Sequence, residues 1–257
     1  MKKILLTVAG FDPSGGAGVL LDLQVFRSLG FQGTAVLTAL TSQNIQKVWK
    51  VVPLPASFVL SQYQALKKDF AWRGIKVGLV GKKANLSVIK IILEELANLP
   101  RVIDPVFRAS SGAWFLDQES IPTFIKTIAG RATVITPNLQ EATLLTGIKV
   151  RGLKDMEKAA KAVYELTGAA CFLKGGHLKG EVFDVLFTGQ HIHVFKSQRL
   201  PVKVHGTGCF FSASLLAYLA KGYKLEDAGR LAGCKTRRAI RGAVKPKASR
   251  GRALFSF

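Results

Sequence analysis

Apolar residues fall along this chain in two alternating patterns. Residues 3–9, 33–40, 74–80, 101–104, 133–136 and 170–174 are short apolar runs, and their length predicts strands. Residues 16–29, 86–99, 154–166 and 212–220 read as helices, and in the second of these Ile89, Ile92, Leu93 and Leu96 share one side. Residues 181–186 and 191–195, joined by Phe187-Thr188-Gly189-Gln190, predict a small antiparallel hairpin. Strands separated by helices of ten to fifteen residues imply βαβ units. The expected fold is therefore α/β, three layers with a mostly parallel central sheet covered on both faces. No repeat or linker interrupts the pattern, so residues 1–257 are expected to form one domain, with a basic tail from about residue 241.

Composition agrees with a globular chain: 48% of the 257 residues are apolar and 21% charged. Cys171, Cys209 and Cys234 are odd in number and far apart, which excludes a disulfide framework and a cysteine-rich zinc site. The start MKKILLTVAG has the basic end and apolar run of a signal peptide. That run is only one strand long, though, and FDPSGGAG follows it in place of a cleavage site. No apolar stretch reaches the roughly 18 residues of a spanning helix, so a soluble cytoplasmic protein without a membrane partner is expected.

The formal charge of +21 changes the picture more. After Asp227 there is no acid, while Arg230, Lys235, Arg237, Arg238, Arg241, Lys245, Lys247, Arg250 and Arg252 add nine positive charges. Such a tail suits nucleic acid or polyphosphate. No RRM, KH, zinc-finger or basic-zipper pattern accompanies it, so a solvated helix face and a frayed terminus are expected instead, and no nucleic acid.

Candidate chemistry falls where strands hand over to helices, beyond the carboxyl ends of the sheet. Residues 9–18, AGFDPSGGAG, follow the first strand, and their glycines allow close backbone approach to a ligand. The loop is neither GxGxxG nor a Walker phosphate loop. Lys174-Gly175-Gly176-His177 ends a strand with a lysine able to reach phosphate oxygens. His205-Gly206-Thr207-Gly208-Cys209 opens a helix whose free N–H groups and dipole favour an anion, and which would lower the Cys209 thiol pKa. Asp104 and Glu141 at adjacent strand ends suit Mg²⁺, although Glu141 could instead be a first-turn acid of a helix.

Together these segments resemble the hydroxymethylpyrimidine and phosphomethylpyrimidine kinases of thiamine biosynthesis, within the ribokinase-like superfamily. The resemblance runs from about Thr7 to Ala239. It rests on AGFDPSGGAG (9–18), LTALTSQN (37–44), KVGLVG (76–81), IDPVF (103–107), TPNLQEA (136–142), LKGGHLKG (173–180) and HGTGC (205–209). It implies a ribokinase-like αβα fold, ATP and Mg²⁺, and a homodimer. It also implies a kinase that phosphorylates 4-amino-5-hydroxymethyl-2-methylpyrimidine and then its monophosphate. By position, it implies that Gly10, Asp22 and Gln43 contact the pyrimidine, with Leu79 and Val106 lining the pocket. Asp104 and Glu141 would serve Mg²⁺, and Lys174 and Gly176 the ATP phosphates. Gly206, Thr207 and Gly208 would form the anion hole, and Cys209 would act as the base where related sugar kinases carry Asp.

Phe11, Leu79, Ala113-Trp114, Gly233 and the tail depart from the family's usual residues. Pyridoxal kinase is the near alternative, because the same loops accept a similar heteroaromatic alcohol. A nucleic-acid-binding protein that uses its tail is the distant one.

Overall fold

The computed structural model describes residues 3–109, 111–176, 181–246 and 252–257. His177 and the rest of residues 177–180, like tail residues 247–251, lie outside the described residues. Nine strands form one sheet: β1 (Ile4–Phe11), β2 (Gln32–Gln43), β3 (Val48–Pro53), β4 (Trp72–Val77), β5 (Arg101–Ile103), β6 (Val134–Ile135), β7 (Ala170–Lys174), β8 (Val182–Phe187) and β9 (Ile192–Ser197). Their order is β3-β2-β1-β4-β5-β6-β7-β8-β9. The pairings from β2 to β7 are parallel, while β3 and the β8–β9 hairpin run antiparallel at the two edges.

Side chains alternate across the sheet with period two. Leu5, Val102, Val134 and Phe172 face one side, where α1 (Gly18–Ser28), α7 (Thr207–Ala220) and α8 (Leu225–Arg241) pack. Leu6, Val8, Ile103, Ile135 and Leu173 face the other. There α2 (Ala56–Asp69), α3 (Asn85–Glu95), α4 (Ile121–Ile128), α5 (Leu139–Thr146) and α6 (Leu153–Thr167) pack. These are the three layers expected.

Some boundaries moved. The β2 strand continues to Gln43, and α7 starts at Thr207 rather than Ser212, which brings the anion loop and Cys209 into its first turn. The edge strand β3 and helices α2 and α4 had no expectation, and α5 only the helix start weighed for Glu141. The tail also departs from the frayed terminus expected. Its last residues form β11 (Arg252–Ala253), parallel to β10 (Lys203–Val204), and Ala253 is fully buried.

No helix among the described residues is long and apolar enough to cross a membrane. From β1 the chain proceeds to β2 on one side and later returns to β4 on the other. Such a reversal opens a crevice at the carboxyl ends of the strands.

Candidate active site at the carboxyl edge of the sheet

The crevice at that reversal holds a small, open cavity of about 40 Å³. Gly10 and Phe11 from β1, Gln43 from β2, Lys76 from β4, Leu79, Val106 and Cys209 line it. Gly10, Gln43, Leu79, Val106 and Cys209 thus meet around one space. Leu79 closes over Gly10, where an added Cβ would lie 3.1 Å from its methyl carbon.

Asp22, expected on the substrate, does not line the cavity. It lies behind the wall at 0% exposure, with Oδ1 accepting from Lys76 Nζ at 2.6 Å and Oδ2 from Thr7 Oγ1 at 2.6 Å. Burial alone would push the Asp22 carboxyl up, and Lys76 opposes it. The Asp22 charge holds Lys76 above the usual lysine range, so the two form an ion pair. The reading of the sequence missed Lys76. The signal was a lysine between Ile75 and Val77 in a strand buried on both faces, where a charge needs a partner.

The glycine loop after β1 is bolted to the loop before α7. Asp12 Oδ1 accepts from Ser14 N at 2.9 Å and Ser14 Oγ at 2.8 Å, while Oδ2 meets His205 Nε2 at 2.8 Å. These bonds hold the Asp12 carboxyl below its ordinary range despite its burial. Gly206 has φ +78°, and a Cβ there would overlap the Gly16 carbonyl. Only glycine satisfies both demands. Gly206 caps α7 without a side-chain bond, so the N–H groups of Thr207, Gly208 and Cys209 have no partner within the helix.

Beneath that helix start lies a second ion pair. Lys174 Nζ meets Asp104 Oδ1 at 2.8 Å, and an added Cβ on Gly208 would lie 3.1 Å from the same Nζ. Thr136 Oγ1 donates to Asp104 Oδ1 at 3.1 Å and Ser212 Oγ to Oδ2 at 3.2 Å. Lys174 pulls the buried Asp104 carboxyl below its usual range. Gly176 is an exposed turn residue whose carbonyl accepts from Arg199 Nη1 at 3.0 Å.

Glu141 takes the alternative foreseen for it, because its side chain and Asn138 form a capping box at the start of α5. Burial and the Asp104 charge push it up to about 8, with Lys174 pulling the other way. Two buried carboxyl groups whose charges act on Lys174 near the start of α7 are hard-oxygen donors of the kind Mg²⁺ prefers, and it needs only one or two of them. Among the described residues no group of three or more His, Cys, Asp or Glu is placed to hold a metal, so water and phosphate would complete the shell.

The Cys209 thiol corrects an expectation. Burial and the charges of Asp104 and Asp22 push the thiol up to about 11, outweighing the Lys76 charge and the Gly18 N–H that favour the thiolate. Proximity to a helix N-terminus does not prevail against burial and the negative charges of two nearby carboxylates.

A site that pairs an anion cradle with an adjoining apolar-walled cavity suits transfer of a phosphoryl group to a small molecule. The αβα frame around it is that of the ribokinase-like kinases. The family model described as phosphomethylpyrimidine kinase matches residues 12–253, and the chain belongs to that family. It is 38% identical over 216 residues to a hydroxymethylpyrimidine/phosphomethylpyrimidine kinase of Aquifex aeolicus, covering 83% of this chain and 85% of that one. The crystal structure of phosphomethylpyrimidine kinase from Clostridium difficile 630 superposes with TM-score 0.81 at 34% identity, over 93% of this chain and all of that one. An ADP complex of Bacillus subtilis pyridoxal kinase superposes with TM-score 0.88 at 29% identity, over 100% of this chain and 98% of the other.

Proposed function

We propose that this kinase transfers the γ-phosphoryl group of ATP, with Mg²⁺, to the hydroxymethyl oxygen of 4-amino-5-hydroxymethyl-2-methylpyrimidine, and then phosphorylates the monophosphate to the pyrophosphate. The observation that carries this reading is that Cys209 belongs both to the cavity lining and to the first turn of α7. An alcohol bound against Gln43, Leu79 and Val106 then has its oxygen at the mouth of the anion cradle. Gln43 offers both an amide donor and an acceptor, the pair an aminopyrimidine edge demands. Leu79 and Val106 hold the ring and exclude water.

Phosphoryl transfer rests on positioning and charge stabilisation. The N–H groups of residues 207–209 and the Lys174 ammonium face the transferred oxygens, where such donors act most strongly in a dry site. Asp104 and Glu141 are the residues that would hold Mg²⁺, whose bound charge would neutralise phosphate oxygens. Asp104 also keeps Lys174 aimed beneath Gly208. Cys209 is the group placed to accept the hydroxymethyl proton.

Gln43→Ala tests the ring contact. Leaving a polar ring edge unpaired costs about 1–3 kcal/mol. The KM for the pyrimidine should therefore rise by about tenfold while that for ATP stays put. Equal rises in both would remove Gln43 from the substrate.

The second reading, pyridoxal kinase, is favoured by the high superposition on the Bacillus subtilis enzyme. Release of ADP over a panel of hydroxymethylpyrimidine, its monophosphate, pyridoxal, pyridoxine and pyridoxamine decides between them. The pyrimidine pair should be preferred by kcat/KM, and a preference for pyridoxal would reverse the assignment.

A further inference from the structure

Three segments far apart in sequence build the site: the glycine loop, the corner between β2 and β3, and the loop entering α7. Each of them touches the last six residues of the chain. Arg252 Nη1 donates to the Ile45 carbonyl at 3.2 Å, next to the corner that carries Gln43. Ala253 O accepts from His205 N at 3.0 Å, immediately before the anion loop. Leu254 presses on Gly16, where an added Cβ would lie 2.6 Å from its methyl carbon. Leu254 itself is held by reciprocal backbone bonds to Val244, both 2.9 Å. Phe255 packs its ring 4.4 Å from that of Phe210, which follows Cys209 in α7.

Apart from the buried Ile45 side chain, the corner is held mainly by its own hydrogen bonds. Asn44 N donates to Lys47 O at 3.0 Å, and Asn44 Oδ1 accepts from the N–H groups of Gln46 and Lys47 at 2.9 and 3.0 Å. Those bonds shape the turn without tying its backbone to the rest of the molecule. Among the described residues, the hydrogen bond that leaves residues 44–47 for another part of the molecule is the one from Arg252. It spans 207 positions of sequence.

We propose that Arg252 is a positioning residue for the substrate side of the site, and that the tail ties the Gln43 corner to the anion loop at a fixed separation. Arg252 sits in β11, whose ladder with β10 continues into His205. A shift of the corner relative to α7 must therefore break the Arg252 bond or the ladder. This assignment rests on the reading that Gln43 faces the heteroaromatic alcohol. A fixed gap between the ring contact and the anion loop matters because reacting groups misplaced by about 1 Å lose much of the rate.

The test compares wild type with Arg252→Gln and Arg252→Lys in the full chain. Backbone hydrogen exchange is followed at residues 43–47 and, as a control, in α3. Steady-state KM for the pyrimidine and for ATP is measured alongside. In Arg252→Gln, exchange at 43–47 should quicken with α3 unchanged. The KM for the pyrimidine should rise about three- to tenfold, the scale of one hydrogen bond, with KM for ATP kept. Arg252→Lys, which retains the charge, should recover part of both effects.

Unchanged exchange at 43–47 overturns the tie, whatever the enzyme phosphorylates. Faster exchange with both KM values unmoved, or moved together, overturns the positioning role and leaves a brace. If the wild type turns over no member of the panel, the functional reading falls, and the exchange result alone decides the tie.

Discussion

Asp22→Asn is expected to cost the fold about 3–5 kcal/mol, the scale for removing one partner of a buried ion pair. Asp22, Lys76 and Thr7 are all at 0% exposure, so water cannot take over the lost contact. Asparagine keeps the size of the side chain but not its charge. Near neutrality, with the Cys209 thiol protonated, the Lys76 ammonium is then left with Asp104 as the other charge that favours it.

The pH dependence changes sign with the substitution. In the wild type Lys76 lies above its ordinary 10.5, so the pair's contribution is complete below that pH and is lost as pH climbs through the raised value. In the variant, burial without the partner pulls Lys76 below its unfolded value. The deficit is then largest near neutrality and shrinks as pH rises toward 10. Urea unfolding at pH 7 and pH 9.5 measures both. Asp22→Asn with Lys76→Met removes the pair together and should recover much of the loss. A single variant within about 1 kcal/mol of wild type would show that the pair contributes little to holding α1 on the sheet.

That pair also marks where the sequence stopped being informative. The central strands were legible as continuous apolar runs because the sheet is covered on both faces, and the helices with Leu- and Ile-rich faces because about three side chains in seven must be apolar to reach the core. The β3 strand, VWKVVP, lies at an edge with Trp49 and Val52 exposed, so no buried alternation announces it. Helix α8 offers no bulky apolar stripe because it packs through the small residues Ala228, Gly229 and Ala232. A Cβ on Gly229 would strike Phe172 at 2.5 Å, so closeness rather than bulk joins it to the sheet.

The site loops were legible as glycine-rich strand ends, and the resemblance named most of the cavity lining. Their mutual attachment was not legible. The Asp12–His205 contact joins residues 193 positions apart, and the ion pair of Lys174 with Asp104 joins residues 70 apart. Local pattern carries no trace of such distances. The tail was only half legible for a related reason, since Leu254 and Phe255 were candidates to dock but its charge outweighed them. Its charge density pointed to solvent, while Ala253, Leu254 and Phe255, too few to show a period, supplied the docking.

Cys209→Ala should lower kcat by about 10²–10⁴-fold, the range of general-base assistance, with KM for ATP nearly unchanged. The low end is expected, because phosphoryl transfer is loose enough for proton removal to come late. The environment of the thiol sharpens the test. Burial and the Asp104 and Asp22 carboxylates push it up to about 11, so near neutrality it is protonated in all but a small fraction of molecules. A thiolate base must then make kcat climb as pH rises from 7 toward 10, in step with the ionised fraction.

Iodoacetamide follows the same logic, since the thiolate is the nucleophile. At pH 7 it should label exposed Cys234 first with turnover kept, and Cys209 only slowly. Cys171 is fully buried in an apolar strand and pushed up further by burial, so it should stay unlabelled. Inactivation should track Cys209 labelling by mass spectrometry, accelerate with pH, and be slowed by bound pyrimidine. Cys209→Asp supplies a ready acceptor and should retain more activity than Cys209→Ala, with a flatter pH profile. Turnover of Cys209→Ala within about threefold of wild type, far below the general-base range, would reduce the thiol to packing. The hydroxymethyl proton would then leave through water or through the phosphate itself.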